Sequence, residues 1–264
     1  MGRALITGAS SGLGKEFAKV LAEQGNDLVL VARSQDTLEA LANELHACHG
    51  VNVEVLPADL SLHKGSAAVA QRLRDDAAPI GLLVNNAGFG LGQEFIGGNV
   101  SHELKGVHVM VHAVLELSHA AANAMVARGR GAIINVASIT SMTTQGTYSA
   151  HKAWVKVFSE GLAAELAGSG VHVTAVLPGL MHTAFHSRSH VDASQWLELT
   201  FIDTRKVVLD ALDAARRGKV LVTPSLLYKA AYGALKFAPR ALVRAVAGPK
   251  MSGRSAGIPK KSEV

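Results

Sequence analysis

A short apolar stretch, Ala4-Leu5-Ile6-Thr7, runs into a glycine-spaced turn, Gly8-Ala9-Ser10-Ser11-Gly12-Leu13-Gly14, and then into a helical pattern ending near Glu23. This joint constrains the fold more than any other part of the chain. Gly8 permits the tight turn, Gly12 lets the backbone approach a pyrophosphate, and Gly14 lets the helix pack closely on the strand. A helix opening here presents free N–H groups and its positive dipole end to phosphates. Such a triplet also occurs in ordinary tight turns, and its weight comes from its place at a strand–helix joint. Gly8, Ser10, Ser11, Gly12, Leu13 and Gly14 are therefore candidate cofactor-binding residues.

The same alternation continues. Asp27–Ala32, Val51–Leu56, Ile80–Asn85, Ala132–Val136, Val171–Leu177 and Val220–Val222 read as strands. Between them, helices are expected over Gln35–Cys48, Lys64–Ala77, Ser101–Arg128, Tyr148–Ala167 and Thr204–Arg217, with Ser34 placed to cap the first of these. Such alternation predicts an α/β chain: a Rossmann-type, doubly wound parallel sheet in a three-layer α/β/α single domain. The domain is expected over residues 1–248. Residues 224–247 would form a helical cover, and residues 249–264 a disordered basic tail.

Composition narrows the partners. With 264 residues, 48% hydrophobic, the chain is long enough for one large core. Its one cysteine, Cys48, allows no disulfide framework and fits a cytoplasmic location. No apolar run approaches the ~18 residues of a membrane span. Because the chain enters its first strand at once, no signal peptide is expected. Of the net +5, the segment 229–264 carries eight Lys/Arg against one acid, so the rest is close to neutral. A basic end of this kind meets nucleic acid or an anionic membrane, or merely keeps the chain soluble.

The end of the second strand bears on the cofactor. An acid here would bind a ribose 2′-OH, but the sequence is Val31-Ala32-Arg33-Ser34. Arg33 can pair with a 2′-phosphate and Ser34 can add a hydrogen bond, which points to NADP(H). Asp59, after the third strand, is placed to accept from an adenine amino group. Asn86-Ala87-Gly88, after the fourth, lets the backbone approach the cofactor.

Tyr148 and Lys152 stand one helical turn apart on one face. An ammonium that close favours the phenolate and lowers the tyrosine pKa, so the phenol can exchange a proton with a carbonyl.

Together the motifs resemble the short-chain dehydrogenase/reductase family from Ala4 to Thr183. They are Thr7-Gly-x-x-x-Gly-x-Gly14, Asp59-Leu60, Asn85-Asn86-Ala87-Gly88, the strand ending at Ser138, Tyr148-x-x-x-Lys152, and Pro178-Gly179 with Thr183. The resemblance implies metal-free hydride transfer between a nicotinamide and a carbonyl or alcohol. It implies that Ser138 holds the substrate oxygen, Tyr148 is the general acid/base, and Lys152 tunes Tyr148 and binds the nicotinamide ribose. Leu60 joins the cofactor contacts, Pro178 and Gly179 shape the nicotinamide pocket, and Thr183 contacts the carboxamide. The substrate is expected to be an apolar carbonyl or alcohol, and a homodimer or homotetramer is expected through the helix at 101–128 and the Trp154, Val157, Phe158, Leu162 stripe, which could equally be core.

Two features depart from that pattern. Met110 stands where the family usually has an asparagine that holds a relay water, which methionine cannot do; His108 or His112 are possible substitutes. The interval from Ser138 to Tyr148 is ten residues, shorter than is common, so Thr140 or Ser141 are alternative occupants of the serine role. These departures motivate a second reading, an NADP(H)-binding regulatory or interaction protein with little turnover. His108 and His112 also have the i,i+4 spacing of a metal pair, but no third ligand is evident, and no metal is expected. Residues 224–247 alternate apolar blocks with cations, the pattern of a pocket cover or, as the less favoured reading, of a peripheral membrane segment. No nucleic-acid partner is expected.

Overall fold

The strands are short, apolar and covered on both faces, as a parallel sheet between two helix layers requires. The computed structural model describes residues 2–181 and 200–248. Within them β1 (Arg3–Thr7), β2 (Asp27–Ala32), β3 (Val53–Pro57), β4 (Leu82–Asn85), β5 (Gly131–Val136), β6 (Val171–Val176) and β7 (Leu221–Val222) form one sheet. Its order is β3-β2-β1-β4-β5-β6-β7, with every pairing parallel. The chain builds outward from β1 to β3, then crosses back to place β4 on the other side of β1. This reversal opens a crevice at the carboxyl ends of β1 and β4, the place where open α/β sheets bind ligands.

Each face of the sheet has its own core. On one side Phe17 and Leu21 of α1 (Gly12–Glu23), Leu38 and Leu45 of α2 (Gln35–His49), and Val208 and Leu212 of α7 (Thr204–Arg216) pack on Ile6, Leu28 and Leu30. On the other, Val69 and Leu73 of α3 (His63–Leu73) and Leu117 and Met125 of α5 (Ala113–Ala127) pack on Leu5, Val29, Leu83 and Ile133, with Leu162 of α6 (Thr147–Glu165) alongside. The expected doubly wound, three-layer fold is the one observed.

Three local expectations change. The helix expected over Ser101–Arg128 is helical from Val100 to Ala127, but α4 (Val100–Val107) passes into α5 through a π-helical turn at His108–His112. This wider turn carries Met110, which is fully buried. The stretch has the length and composition of a membrane span, contrary to the sequence expectation. Its residues Ala113, Leu117, Ala121 and Met125 are nevertheless buried against the sheet, as in the core helix of a globular chain. Finally, Ser34 stands at the N-cap of α2, but its side chain makes no capping bond. The tail at 249–264 lies outside the described residues.

A buried polar chain fixes the carboxyl halves of β4 and β5. Asn85 Nδ2 donates to Asn135 Oδ1 at 2.9 Å and to Ser118 Oγ at 3.1 Å, while Asn135 Nδ2 donates to Ser159 Oγ at 3.0 Å. Ser159 donates in turn to the Val155 carbonyl at 2.7 Å. The chain thus ties two strands to α5 and α6 where the site is built. Asn135→Ala leaves a buried donor of Asn85 short of a partner, and should cost about 1–3 kcal/mol of stability. Urea unfolding should show a lower midpoint with an unchanged slope.

Candidate active site

The crevice begins with the glycine turn. Gly8 and Gly12 adopt left-handed backbone, φ 68° and 53°. A Cβ on Gly14 would sit 2.3 Å from the Gly8 carbonyl oxygen, so only glycine lets α1 close onto the turn. Thr7 locks this turn to the loop after β4. Its Oγ1 accepts from the backbone N–H of Asn86 (2.9 Å) and of Ala87 (3.0 Å), and Asn86 Nδ2 returns a bond to the Thr7 carbonyl at 2.9 Å. The extended Ser11 stands at the N-cap of α1 without a side-chain capping bond. The result is a compact anion cradle with the free helix end and bare backbone that a pyrophosphate requires.

At the end of β2, Arg33 and Ser34 are exposed. Asp59 Oδ1 accepts from the Ser61 N–H at 2.9 Å and the Ser61 hydroxyl at 2.8 Å. Burial raises the Asp59 pKa, but these bonds and the charges of Arg33 and Lys105 outweigh it and hold the carboxyl below its usual value. Asp59 is therefore held as an anion near Arg33. Leu60 is buried.

The reactive cluster lies at the end of β5. Ser138 is nearly buried, and its Oγ accepts from the Thr140 N–H at 3.2 Å, opening a single 3-10 turn, Ile139–Met142. That turn, the hydrogen bond between the Thr143 and Ser149 hydroxyls and the bond from the Gln145 N–H to Ser149 Oγ, both 3.1 Å, close the short loop. The loop places Ser138 close enough to Tyr148 to favour the phenolate. The Thr140 and Ser141 hydroxyls are buried without partners.

Lys152 lies beneath the tyrosine ring, its Nζ 5.8 Å from the centroid, and donates to the Val136 carbonyl at 2.7 Å. The expected lowering of the Tyr148 pKa by Lys152 is absent from this arrangement. Burial raises the phenol pKa, against a smaller lowering by Ser138. Burial also pulls the Lys152 ammonium down to about 8. The amine is aimed at a strand carbonyl, and desolvation dominates both groups.

Met110 shares this space. A Cβ on Gly88 would lie 3.5 Å from both Lys152 Nζ and Met110 Sδ, so Gly88, Lys152 and Met110 meet at one point. Pro178 accepts from the Ile139 N–H at 3.0 Å, and a Cβ on Gly179 would overlap the Tyr228 ring. Tyr228 belongs to α8 (Leu226–Phe237) and bridges the Leu180 N–H and the Thr200 carbonyl. The helix after it, α9 (Arg240–Val246), reaches the serine loop through Arg240 to the Met142 carbonyl at 3.1 Å. The expected cover therefore touches both sides of the site. Thr183 lies outside the described residues.

Sequence reading passed over Thr7 and the Asn85–Asn135 chain, whose partners are remote along the chain. It also passed over Tyr228, and over His151 beside Lys152. His108 and His112 are 5.7 Å apart ring to ring, and among the described residues no three His, Cys, Asp or Glu side chains gather as metal ligands.

A glycine cradle at the switch point of a doubly wound sheet, with a serine, tyrosine and lysine at the next strand ends, defines a dinucleotide-dependent oxidoreductase architecture. The chain belongs to the short-chain dehydrogenase family, whose model matches residues 3–193. It is 31% identical over 219 residues to the ketoacyl reductase HetN of Nostoc sp., covering 81% of this chain and 75% of that protein. Among solved structures it is similar to a short-chain dehydrogenase from Sphingobium yanoikuyae in complex with NADPH, with TM-score 0.83, 35% identity and coverage of 99% and 100% of the two chains. It is also similar to a bulky-bulky ketone specific alcohol dehydrogenase from Comamonas testosteroni, with TM-score 0.77, 32% identity and coverage of 91% and 96%.

The buried lysine gives a stability test. Its folded pKa, about 8, lies below its ordinary 10.5. Between these values the unfolded chain holds more protons, so this group makes stability rise with pH. Lys152→Met removes that rise. The stability of the variant relative to wild type should fall by an amount on the order of 1–3 kcal/mol from pH 8 to 10.5, read by urea unfolding across that range.

Proposed function

We propose that this chain is an NADP(H)-dependent oxidoreductase that interconverts an apolar ketone or aldehyde with its alcohol. The observation that carries the reading is the closeness of Ser138 to Tyr148, directly above Lys152, beside a glycine cradle of the right form. A bound nicotinamide supplies or accepts the hydride. The protein's residues orient the substrate and handle the proton. Ser138 holds the substrate oxygen. Tyr148, kept protonated by burial, gives that oxygen its proton during reduction. The phenolate left behind is stabilised by the adjacent Lys152 cation. At rest Lys152 is tethered to Val136, and a small rotation toward the new anion is what tuning of the tyrosine requires.

Arg33 supports the phosphorylated cofactor. It is an exposed cation at the strand end where an acid would favour NAD(H), and Ser34 keeps its hydroxyl out of helix capping beside it. The Sphingobium relative bound to NADPH agrees with this choice. An apolar substrate fits the aromatic and aliphatic groups near the crevice, Phe89, Leu91 and Tyr228, and the ketone preference in the name of the Comamonas relative. Assembly through α4–α6 is supported by the exposed Leu104, Val107, Leu115 and Val157, which a dimer would cover. The unpaired, exposed Cys48 suits a cytoplasmic setting.

Met110 favours one alternative, a cofactor-binding regulatory protein with little turnover. Tight NADPH binding without oxidation on a panel of aliphatic, aromatic and polycyclic carbonyls would establish it. On the primary reading, Tyr148→Phe lowers kcat by about 10²- to 10⁴-fold while NADPH affinity is retained. Arg33→Asp is expected to weaken NADPH about 10- to 100-fold and leave NADH binding little changed, measured by fluorescence titration.

A further inference from the structure

The helices that cover the crevice have two apolar sides, and only one of them is used by the fold. On α8 the inward side carries Tyr228, Ala231, Tyr232 and Leu235, at the i, i+3, i+4 and i+7 spacing of one helical face. Tyr228 packs on the core around Ile6 and Phe17, and Tyr232 on the cluster of Val155 and Leu177. The opposite side carries a second row, Leu226, Ala230 and Phe237, at i, i+4 and i+11. All three are exposed. Leu226 and Phe237, at 82% and 83%, are the most exposed large apolar side chains among the described residues. The short α9 repeats the division: Val243 is buried, while Leu242 and Val246, one turn apart, are exposed. A helix that only covered a pocket would turn polar residues outward. An exposed apolar row with a charged rim marks a surface that meets a partner.

The rim carries one sign of charge. Lys229 and Lys236 stand seven residues apart on one flank of α8, between its two apolar sides, and Lys236 Nζ lies 5.7 Å from the Phe237 ring centroid. Arg240 and Arg244 follow on α9. Arg240 is engaged by the Met142 carbonyl. Lys229, Lys236 and Arg244 are exposed, and among the described residues no acid pairs with them. The sequence itself withholds acids here: after Asp213 the next Asp or Glu is Glu263. Apolar area beside unpaired cations supplies the two attractions that hold a helix flat on a lipid surface, burial of the row and pairing with anionic headgroups. Lysine stems also let each ammonium stay at headgroup level while the neighbouring apolar side chains sink lower. A second copy of the chain fits this face poorly, because a two-fold contact sets a patch against itself and here opposes cation to cation. Nucleic acid would satisfy the cations and leave Leu226 and Phe237 against a charged backbone.

We propose that the outer side of α8 and α9 docks on a bilayer surface bearing anionic phospholipids. Leu226, Phe237, Leu242 and Val246 enter the boundary between headgroups and acyl chains. Lys229, Lys236 and Arg244 pair with the headgroups. The inner sides stay packed on the protein, and Tyr228 and Arg240 keep their bonds to the Leu180 N–H and the Met142 carbonyl. Pocket cover and membrane contact are thus the two sides of one element. The proposal does not depend on the oxidoreductase reading.

The test is co-sedimentation of the full chain with vesicles of phosphatidylcholine alone and of phosphatidylcholine mixed with phosphatidylglycerol. Wild type should bind the mixed vesicles, leave the neutral ones largely unbound, and be released by added salt. Leu226→Ser with Phe237→Ser should weaken binding to the mixed vesicles about tenfold or more, and so should Lys229→Glu with Lys236→Glu. All four side chains are exposed, so both variants should keep the wild-type midpoint in urea, which separates lost docking from a lost fold. Wild type that ignores the mixed vesicles overturns the proposal. Undiminished binding by the serine variant also overturns it, and moves the lipid contact to another part of the chain. Equal binding to both kinds of vesicle, unmoved by salt, overturns the choice of an anionic surface. A wild-type dimer that the serine variant converts to a monomer, read by light scattering, makes the occupant a second copy and overturns the membrane.

Discussion

The contact on which the site depends is the clamp between Thr7 and the Asn86–Ala87 backbone. A parallel sheet fixes β1 beside β4 only up to its last ladder bonds. Beyond Thr7 and Asn85 the two loops diverge, and their position must come from something else. One hydroxyl accepts both N–H groups of the second loop, and the Asn86 amide returns a bond to the first. Because these bonds are largely shielded from water, they hold geometry more strongly than exposed ones would. The glycines then become necessary in turn, since the clamp draws backbone so close to Gly8 and Gly14 that no Cβ fits. A phosphate cradle, and the placement of Gly88 over Lys152, both follow from this one junction.

Much of this was legible in the chain, for a physical reason. Strand–helix alternation and the glycine joint are local, so they survive in a single sequence. The motif residues at strand ends are ordered by the topology itself. What escaped notice depends on partners distant in sequence. Thr7 looks like any strand residue until Asn86 is beside it, and Asn85 and Asn135 are fifty residues apart. Tyr228 gains meaning only when its ring lies on Gly179. The π turn at His108–His112 is also invisible to a helical period, because a single wide turn shifts the register without interrupting the apolar pattern.

The same distinction explains the serine. Counting along the chain left Ser138, Thr140 and Ser141 as alternatives, because a shortened loop might have displaced the strand end. The structure shortens the loop at its far side, with one 3-10 turn and two bonds to Ser149, and leaves the strand end undisturbed. The position of Ser138 is set by β5, and the loop adapts to it.

Desolvation then decides how the proton is held. A charge-based account makes Lys152 the agent that lowers the tyrosine pKa. Here burial acts on both groups in opposite senses, raising the phenol and lowering the ammonium. Both shifts favour the neutral forms and oppose a phenolate–ammonium pair at rest. Charge must therefore arise when the phenol has given its proton away, and at that moment the lysine cation gains a partner. An amine whose pKa lies near 8 is a ready donor to that phenolate, but its own recharging becomes the difficult step in a region walled by methionine and leucine.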